Sequence, residues 1–119
     1  MNREEHVIVG ILVFSLYTWL FHSLVNVSFN VILFGVISTI FGSIIPDILE
    51  PPTHWTHRGL GHSKRALKFV GYLFVIAALL GLLSIFNDIF FNSYIISSFF
   101  LGYVAHLLAD STTTMGIPP

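Results

Sequence analysis

Four long apolar segments separated by polar stretches make up most of this 119-residue chain. They run from about residue 5 to 25, 29 to 45, 66 to 86 and 94 to 109. A helix needs about 20 apolar residues to cross the hydrocarbon core of a bilayer. Only 9% of the residues are charged, whereas about a quarter are charged in a soluble domain. The sequence therefore predicts an all-α integral membrane protein with four transmembrane helices, built as one domain over residues 1–119.

Composition also limits the chemistry. The first ten residues are mixed in charge and no small-residue cleavage site follows, so we expect the first apolar segment to be a retained helix. The chain has no cysteine, which excludes disulfides and thiolate ligands, so a metal would be bound by histidine and carboxylate. The net charge of −1 gives no basic footprint for nucleic acid.

Residues 46–68 form the one long polar interruption, PDILEPPTHWTHRGLGHSKRALK. We predict a long polar loop between helices 2 and 3, with Pro46 ending helix 2, because the residue before a proline is biased away from helix. Four spans place this loop and both termini on one side of the membrane. All five basic residues fall on that side: Arg3, Arg58, Lys64, Arg65 and Lys68. The positive-inside rule makes it the cytoplasmic side.

The same end collects the side chains that could bind a metal. His106 and Asp110 lie four residues apart on one helical face, so they could share an ion, or Asp110 could bridge two ions. Asp110 could equally orient the histidine or cap the helix. His57 and His62 flank a glycine-containing turn that could bring both rings to one point, and the alternative is that they are solvated. The remaining candidates at this end are His6, Asp47, Glu50 and His54, the last of which could be a ligand, a supporting residue or simply exposed.

Two loop residues suit hydrolysis of a phosphoester. Glu50 could bind metal, could accept a proton from a metal-bound water, or could be a solvated charge. Arg58 has the guanidinium geometry that binds phosphate, although it could instead set topology or contact anionic lipid. No nucleophile motif such as GxSxG and no P-loop is present.

Several blocks of the sequence resemble the YdjM-like family of membrane-bound metal-dependent hydrolases. They are His6, Pro46-Asp47-Ile48, HRGLGHS from His57 to Ser63, GYVAHLLAD from Gly102 to Asp110, Thr113, and Gly116-Ile117. The resemblance implies metal-binding roles for His6, Asp47, His57, His62, His106 and Asp110. This chain has Leu49-Glu50 where many members have Asp-His, so one ligand could be lost, changed or supplied by His54. His106 and Asp110 also resemble, more distantly, a motif of zinc-dependent phospholipase C.

We therefore predict a membrane-embedded hydrolase of a lipid or lipid-linked phosphate, with zinc as the first choice of metal, manganese or iron as others, and one or more ions bound. The proposed catalytic residues are Glu50 and Arg58, and the expected partners are membrane lipids. One alternative is a non-enzymatic, metal-stabilised membrane protein that binds a cytosolic partner through residues 46–68. Another is a metal or proton transporter, which the absence of ionisable residues near the middle of any segment disfavours.

Overall fold

The computed structural model describes residues 3–24, 28–49, 60–83 and 89–112. These form four α-helices, α1 (Arg3–Leu24), α2 (Phe29–Leu49), α3 (Lys64–Leu83) and α4 (Ile89–Ser111), with a 3-10 turn at Leu60–His62 just before α3. Each helix contains a stretch long and apolar enough to cross a membrane. No strand occurs in the described part of the chain. The predicted all-α membrane fold with four spanning helices is confirmed.

Helix α4 is the centre of the bundle. It packs against α1, α2 and α3, and 67% of its spanning stretch is buried, compared with 17% to 33% for the other three helices. The outer helices keep large apolar side chains exposed, among them Trp19, Phe29 and Tyr72. Such side chains suit contact with lipid, so the chain has the organisation of a membrane protein with α4 at the centre of its interior.

Glycine allows α2 and α4 to approach closely. A Cβ atom added to Gly42 would overlap the carbonyl oxygen of Phe99, and one added to Gly102 would overlap the carbonyl oxygen of Thr39. The two helix backbones are therefore in direct contact at this crossing. Small residues at such spacings are what membrane helices use to pack without a hydrophobic driving force between them.

Hydroxyl groups in the interior are paired across helices. Tyr17 Oη lies 2.6 Å from Ser97 Oγ, and the Thr18 and Tyr94 hydroxyls are also 2.6 Å apart. Thr39 Oγ1 donates to the Ser98 carbonyl at 3.0 Å. Each bond satisfies a polar group that water cannot reach inside a bilayer, and each ties α4 to α1 or α2.

The predicted boundaries of the polar loop were wrong. Helix α2 does not end at Pro46 but continues to Leu49. A proline inside a helix removes one backbone hydrogen bond and disfavours the turn before it. Here that turn is held by tertiary contacts, since Pro46 and Asp47 are both buried and the Asp47 carboxylate faces histidines from two other elements.

The other end of the predicted loop is also helical. Ser63 caps α3, because its Oγ accepts a hydrogen bond from the Ala66 backbone N–H at 3.1 Å, and α3 therefore begins at Lys64 rather than near Ala66. In the described part of the 46–68 stretch, residues 46–49 belong to α2, 60–62 to the 3-10 turn and 64–68 to α3, so no long polar loop is evident among these residues. Residues 50–59 lie outside the described residues.

Candidate metal centre

Four elements bring acidic and imidazole side chains together at one end of the bundle. His6 comes from the start of α1, Asp47 from the last turn of α2, His62 from the 3-10 turn, and His106 and Asp110 from the end of α4. All five are buried, with at most 7% of any residue exposed. These are five of the six residues for which a metal-binding role was predicted. The sixth, His57, lies outside the described residues, as do Glu50, His54 and Arg58.

Asp110 contacts three imidazoles. Its Oδ1 lies 3.2 Å from His6 Nε2, and its Oδ2 lies 3.3 Å from His106 Nε2 and 4.0 Å from His62 Nε2. The contact with His106 follows from their spacing of four residues on α4. The contacts with His6 and His62 depend on α1 and the 3-10 turn closing over the end of α4.

Asp47 faces two of these imidazoles from α2. Its Oδ1 lies 3.3 Å from His62 Nε2 and 3.4 Å from His106 Nε2. Two overlapping groups result, His6–Asp47–His106 and His62–His106–Asp110, and within each the possible ligand atoms all lie within 4.8 Å of one another. Both groups could hold a metal ion, and they share His106.

Ser43 fixes the orientation of the His106 ring. His106 Nδ1 lies 2.6 Å from the Ser43 carbonyl oxygen, and a carbonyl can only accept, so Nδ1 carries the hydrogen. In a neutral ring Nε2 then presents its lone pair to the oxygens of Asp47 and Asp110, at 3.4 and 3.3 Å. A lone pair pointed at two carboxylates is unfavourable unless a proton or a metal cation lies between them. Metal-binding histidines usually donate their other ring N–H in this way.

Two buried imidazole nitrogens have no hydrogen bond within the described parts of the chain. They are His106 Nε2 and His6 Nδ1. The His6 and His106 rings stack with centroids 3.5 Å apart and an angle of 14° between their planes. A buried polar atom left without a partner costs about 1–3 kcal/mol. Coordination of a cation by these nitrogens would remove that cost, so the donor set fits a divalent metal.

Charge favours the same conclusion. The centre contains two carboxylates and three imidazoles. Asp47 and Asp110 also lie near the C-terminal ends of α2 and α4, where the helix dipole disfavours negative charge. A bound cation would offset both the repulsion between the two carboxylates and their unfavourable interaction with the helix dipoles. Histidine nitrogen and carboxylate oxygen are ligands accepted by zinc, manganese and iron, so the donor types do not select among these metals.

Gly10 lets α1 bring His6 to the centre. A Cβ added at Gly10 would overlap Ser43 Oγ, while the Ser43 Cβ and Thr39 Cγ2 would lie at ordinary contact distances of 3.5 and 3.6 Å. We expect Gly10→Ala to move α1 away from α2 and to weaken metal binding by about tenfold. This lies within the range seen when residues that support metal ligands are changed. Isothermal titration of the chelator-stripped protein with zinc measures the change.

A second substitution provides the control for this prediction. Ser43→Ala removes the overlapping Oγ but leaves the backbone carbonyl that orients His106. We expect the Gly10→Ala and Ser43→Ala double variant to regain most of the affinity, giving a non-additive cycle. Equal affinities in the double variant and in Gly10→Ala alone would show that α1 is not displaced through this contact.

Three supporting features were not predicted from the sequence, although a serine before a helix is a recognised N-cap signal. They are the Ser43 carbonyl that binds His106, the Ser63 cap, and the Tyr103 hydroxyl, which donates to the Gly61 carbonyl at 2.7 Å. Tyr103 thereby ties α4 to the 3-10 turn that carries His62. The GYVAHLLAD block contained Tyr103, but nothing in its spacing indicated a contact with Gly61.

Comparison with known proteins gives one positive result. Neither the curated proteins nor the solved structures contain a significant match to this chain. A family model described as YdjM inner membrane protein matches residues 1–119. The match covers the whole sequence, including all four helices and every residue of the candidate metal centre. The chain therefore belongs to the YdjM family of inner membrane proteins.

Proposed function

We propose that this protein is a metal-dependent hydrolase of a lipid or lipid-linked phosphoester at the cytoplasmic surface of the inner membrane. The observation that carries the metal centre is His106, whose Nδ1 is anchored on the Ser43 carbonyl while Nε2 faces two carboxylates. His6, Asp47, His62, His106 and Asp110 would hold the metal, joined by His57. A centre at the end of a membrane helix bundle meets lipid headgroups without removing them from the bilayer.

The division of roles follows from the chemistry of phosphoester hydrolysis. A bound zinc, manganese or iron ion supplies Lewis acidity toward a phosphoryl oxygen and lowers the pKa of a bound water. Among the residues of this chain, Asp110 and Asp47 orient the imidazoles, and the Ser43 carbonyl fixes the tautomer of His106. We assign proton acceptance to Glu50 and phosphate binding to Arg58 on sequence grounds.

Turnover assays with the intact protein test the hydrolase proposal. The protein is reconstituted into vesicles that contain a lipid phosphomonoester or a phosphodiester phospholipid. We expect product only with metal present, loss of product after chelation, and recovery on adding back zinc or manganese. Equal amounts of product before and after chelation would rule the hydrolase proposal out. So would the absence of product from folded, metal-loaded protein with every lipid and metal tried.

The membrane orientation makes a separate prediction. Ser28 precedes α2 and Thr112 follows α4, and both are exposed at opposite ends of the bundle. The native chain lacks cysteine, so each single-cysteine variant carries one labelling site. We expect a membrane-impermeant maleimide to label the Ser28→Cys variant from the periplasmic side. We expect it to label the Thr112→Cys variant only after the inner membrane is opened. Labelling of both from one side would contradict the four-span topology, and the reversed pattern would place the metal centre in the periplasm.

Burial supports a second candidate function, in which the metal only stabilises the membrane protein. On sequence grounds, we propose that such a protein would bind a cytosolic partner through residues 46–68. Structural metal sites are closed, whereas catalytic sites keep a position open, and His62 and His106 are fully buried. If this is the function, chelation lowers the unfolding temperature of the protein in detergent, and the protein hydrolyses no lipid with or without metal. The vesicle assay and a thermal unfolding curve with and without chelator therefore separate the two candidates.

A further inference from the structure

A groove beside the metal centre has the form of a ligand site. Its volume is about 440 Å³, and it is lined by Gly61, Arg65, Ala66, Phe69, Val70 and Tyr103. This volume lies within the range of small-molecule pockets, about 300–1,000 Å³. The lining is almost wholly apolar, and Arg65, in the first turn of α3, is one of its residues. The groove is therefore an apolar site with an arginine in its wall.

The groove adjoins the metal centre through two of its lining residues. Gly61 directly precedes His62, and Tyr103 lies three residues before His106 on α4. The Tyr103 hydroxyl donates to the Gly61 carbonyl at 2.7 Å, which joins these two walls. A molecule seated in the groove would thus have its charged end beside the 3-10 turn that carries His62.

The charge at that end suits an anion. Arg65 is exposed, with Lys64 and Lys68 close by on the same helix, and no ion pair joins Arg65 to another described residue. A guanidinium binds phosphate oxygens with two parallel hydrogen bonds. By contrast, a second groove of about 320 Å³ between α1 and α4 has no charged side chain that could bind an anion. It is lined by Val9, Val13, Ala105, Leu108, Ala109 and Thr112.

We propose that the groove on α3 binds an anionic phospholipid, with one acyl chain along Ala66, Phe69 and Val70 and the phosphate on Arg65. The proposal rests on the proposed function in one respect. A phospholipid bound in this groove would have its phosphodiester beside the metal centre, and phosphodiester lipids would then be the substrate class of the hydrolase. Binding itself needs neither metal nor turnover. The apolar lining favours a lipid over free phosphate, because an acyl chain can fill it and inorganic phosphate cannot.

Lipid retention measured by native mass spectrometry tests the proposal. The full chain in detergent, with metal removed by chelation, is titrated with phosphatidylglycerol, phosphatidylcholine or inorganic phosphate. We expect phosphatidylglycerol to be retained in preference to phosphatidylcholine, and excess phosphate not to displace it. Equal retention of the two lipids, or displacement by phosphate at millimolar concentration, would overturn the proposal.

Two variants separate the acyl and phosphate contacts. Ala66→Phe fills the apolar groove, and Arg65→Gln removes the cation from an exposed position where folding is not at risk. We expect about tenfold weaker retention of phosphatidylglycerol in each, and loss of the preference over phosphatidylcholine in Arg65→Gln. The matched control is Ile76→Phe, at a residue of α3 that is 55% exposed and does not line the groove.

The lipid-retention measurements and the hydrolysis assay can fail independently of each other. Wild-type retention by both Ala66→Phe and Arg65→Gln would show that the groove is not the lipid site, whatever the vesicle assay gives. Selective retention of phosphatidylglycerol by a chain that hydrolyses no lipid would support the binding site and reject only the enzyme. Helix content from circular dichroism identifies any variant that has failed to fold.

Discussion

Replacing Asp110 by asparagine is expected to lower the affinity for a divalent transition metal by about 100-fold or more. Loss of a residue that only supports a metal ligand costs about 10–100-fold, and here a carboxylate that faces the site directly is removed. Asp110 faces His6 at 3.2 Å and His106 at 3.3 Å, so the amide would remove one of the two negative charges of the centre. Competition with a chelating dye measures the affinity.

The design of this variant keeps shape constant while charge changes. Asparagine has nearly the same volume as aspartate, so α4 should remain folded. Ser111→Ala is the matched control, because Ser111 is the next residue of α4, is exposed, and bonds only to the Leu108 carbonyl in the described structure. Affinities for Asp110→Asn and Ser111→Ala that agree within a factor of three would contradict a metal role for Asp110.

Alanine at Gly42 or Gly102 is expected to destabilise the bundle by about 3 kcal/mol, the upper part of the range for overpacking. In both cases the new methyl group would meet a backbone carbonyl of the facing helix, which no rotamer change can move. The α2–α4 crossing must then widen. The same crossing holds Asp47 against His106, so metal affinity should fall together with stability.

Gly71→Ala is the control for these glycine variants. A Cβ at Gly71 would meet nothing within 4 Å, and alanine is the better helix former. We expect its stability to equal or slightly exceed that of the wild type in SDS titrations monitored by circular dichroism. Equal unfolding midpoints for Gly42→Ala, Gly102→Ala and Gly71→Ala would show that close helix contact does not hold α2 to α4.

Sequence patterns predicted the features that depend on local chemistry. Apolar length identified the four helices, and the spacing of His106 and Asp110 placed them on one face of α4. The topology brought His6, Asp47 and His62 to the same end. Each of these inferences needs only the period of a helix and the thickness of a bilayer.

Features that depend on packing between helices were not predictable. Pro46 was expected to end α2, because the rule for proline considers the local backbone, but contacts of the next residue with His62 and His106 hold the last turn. The bond from His106 to the Ser43 carbonyl joins residues 63 positions apart. The groove at Arg65 likewise depends on packing, because its lining combines residues of α3 with Tyr103 of α4 and Gly61 of the turn before α3.

We propose that the buried histidine and aspartate side chains of this protein bind a metal ion. Elemental analysis by mass spectrometry of the protein purified in detergent, in buffers free of chelator, tests it most directly. We predict at least one transition-metal ion per chain in the wild type and Ser111→Ala, and a large loss in Asp110→Asn. A folded wild-type protein that contains only traces of every transition metal, and takes up none when zinc, manganese or iron is supplied, would contradict the claim.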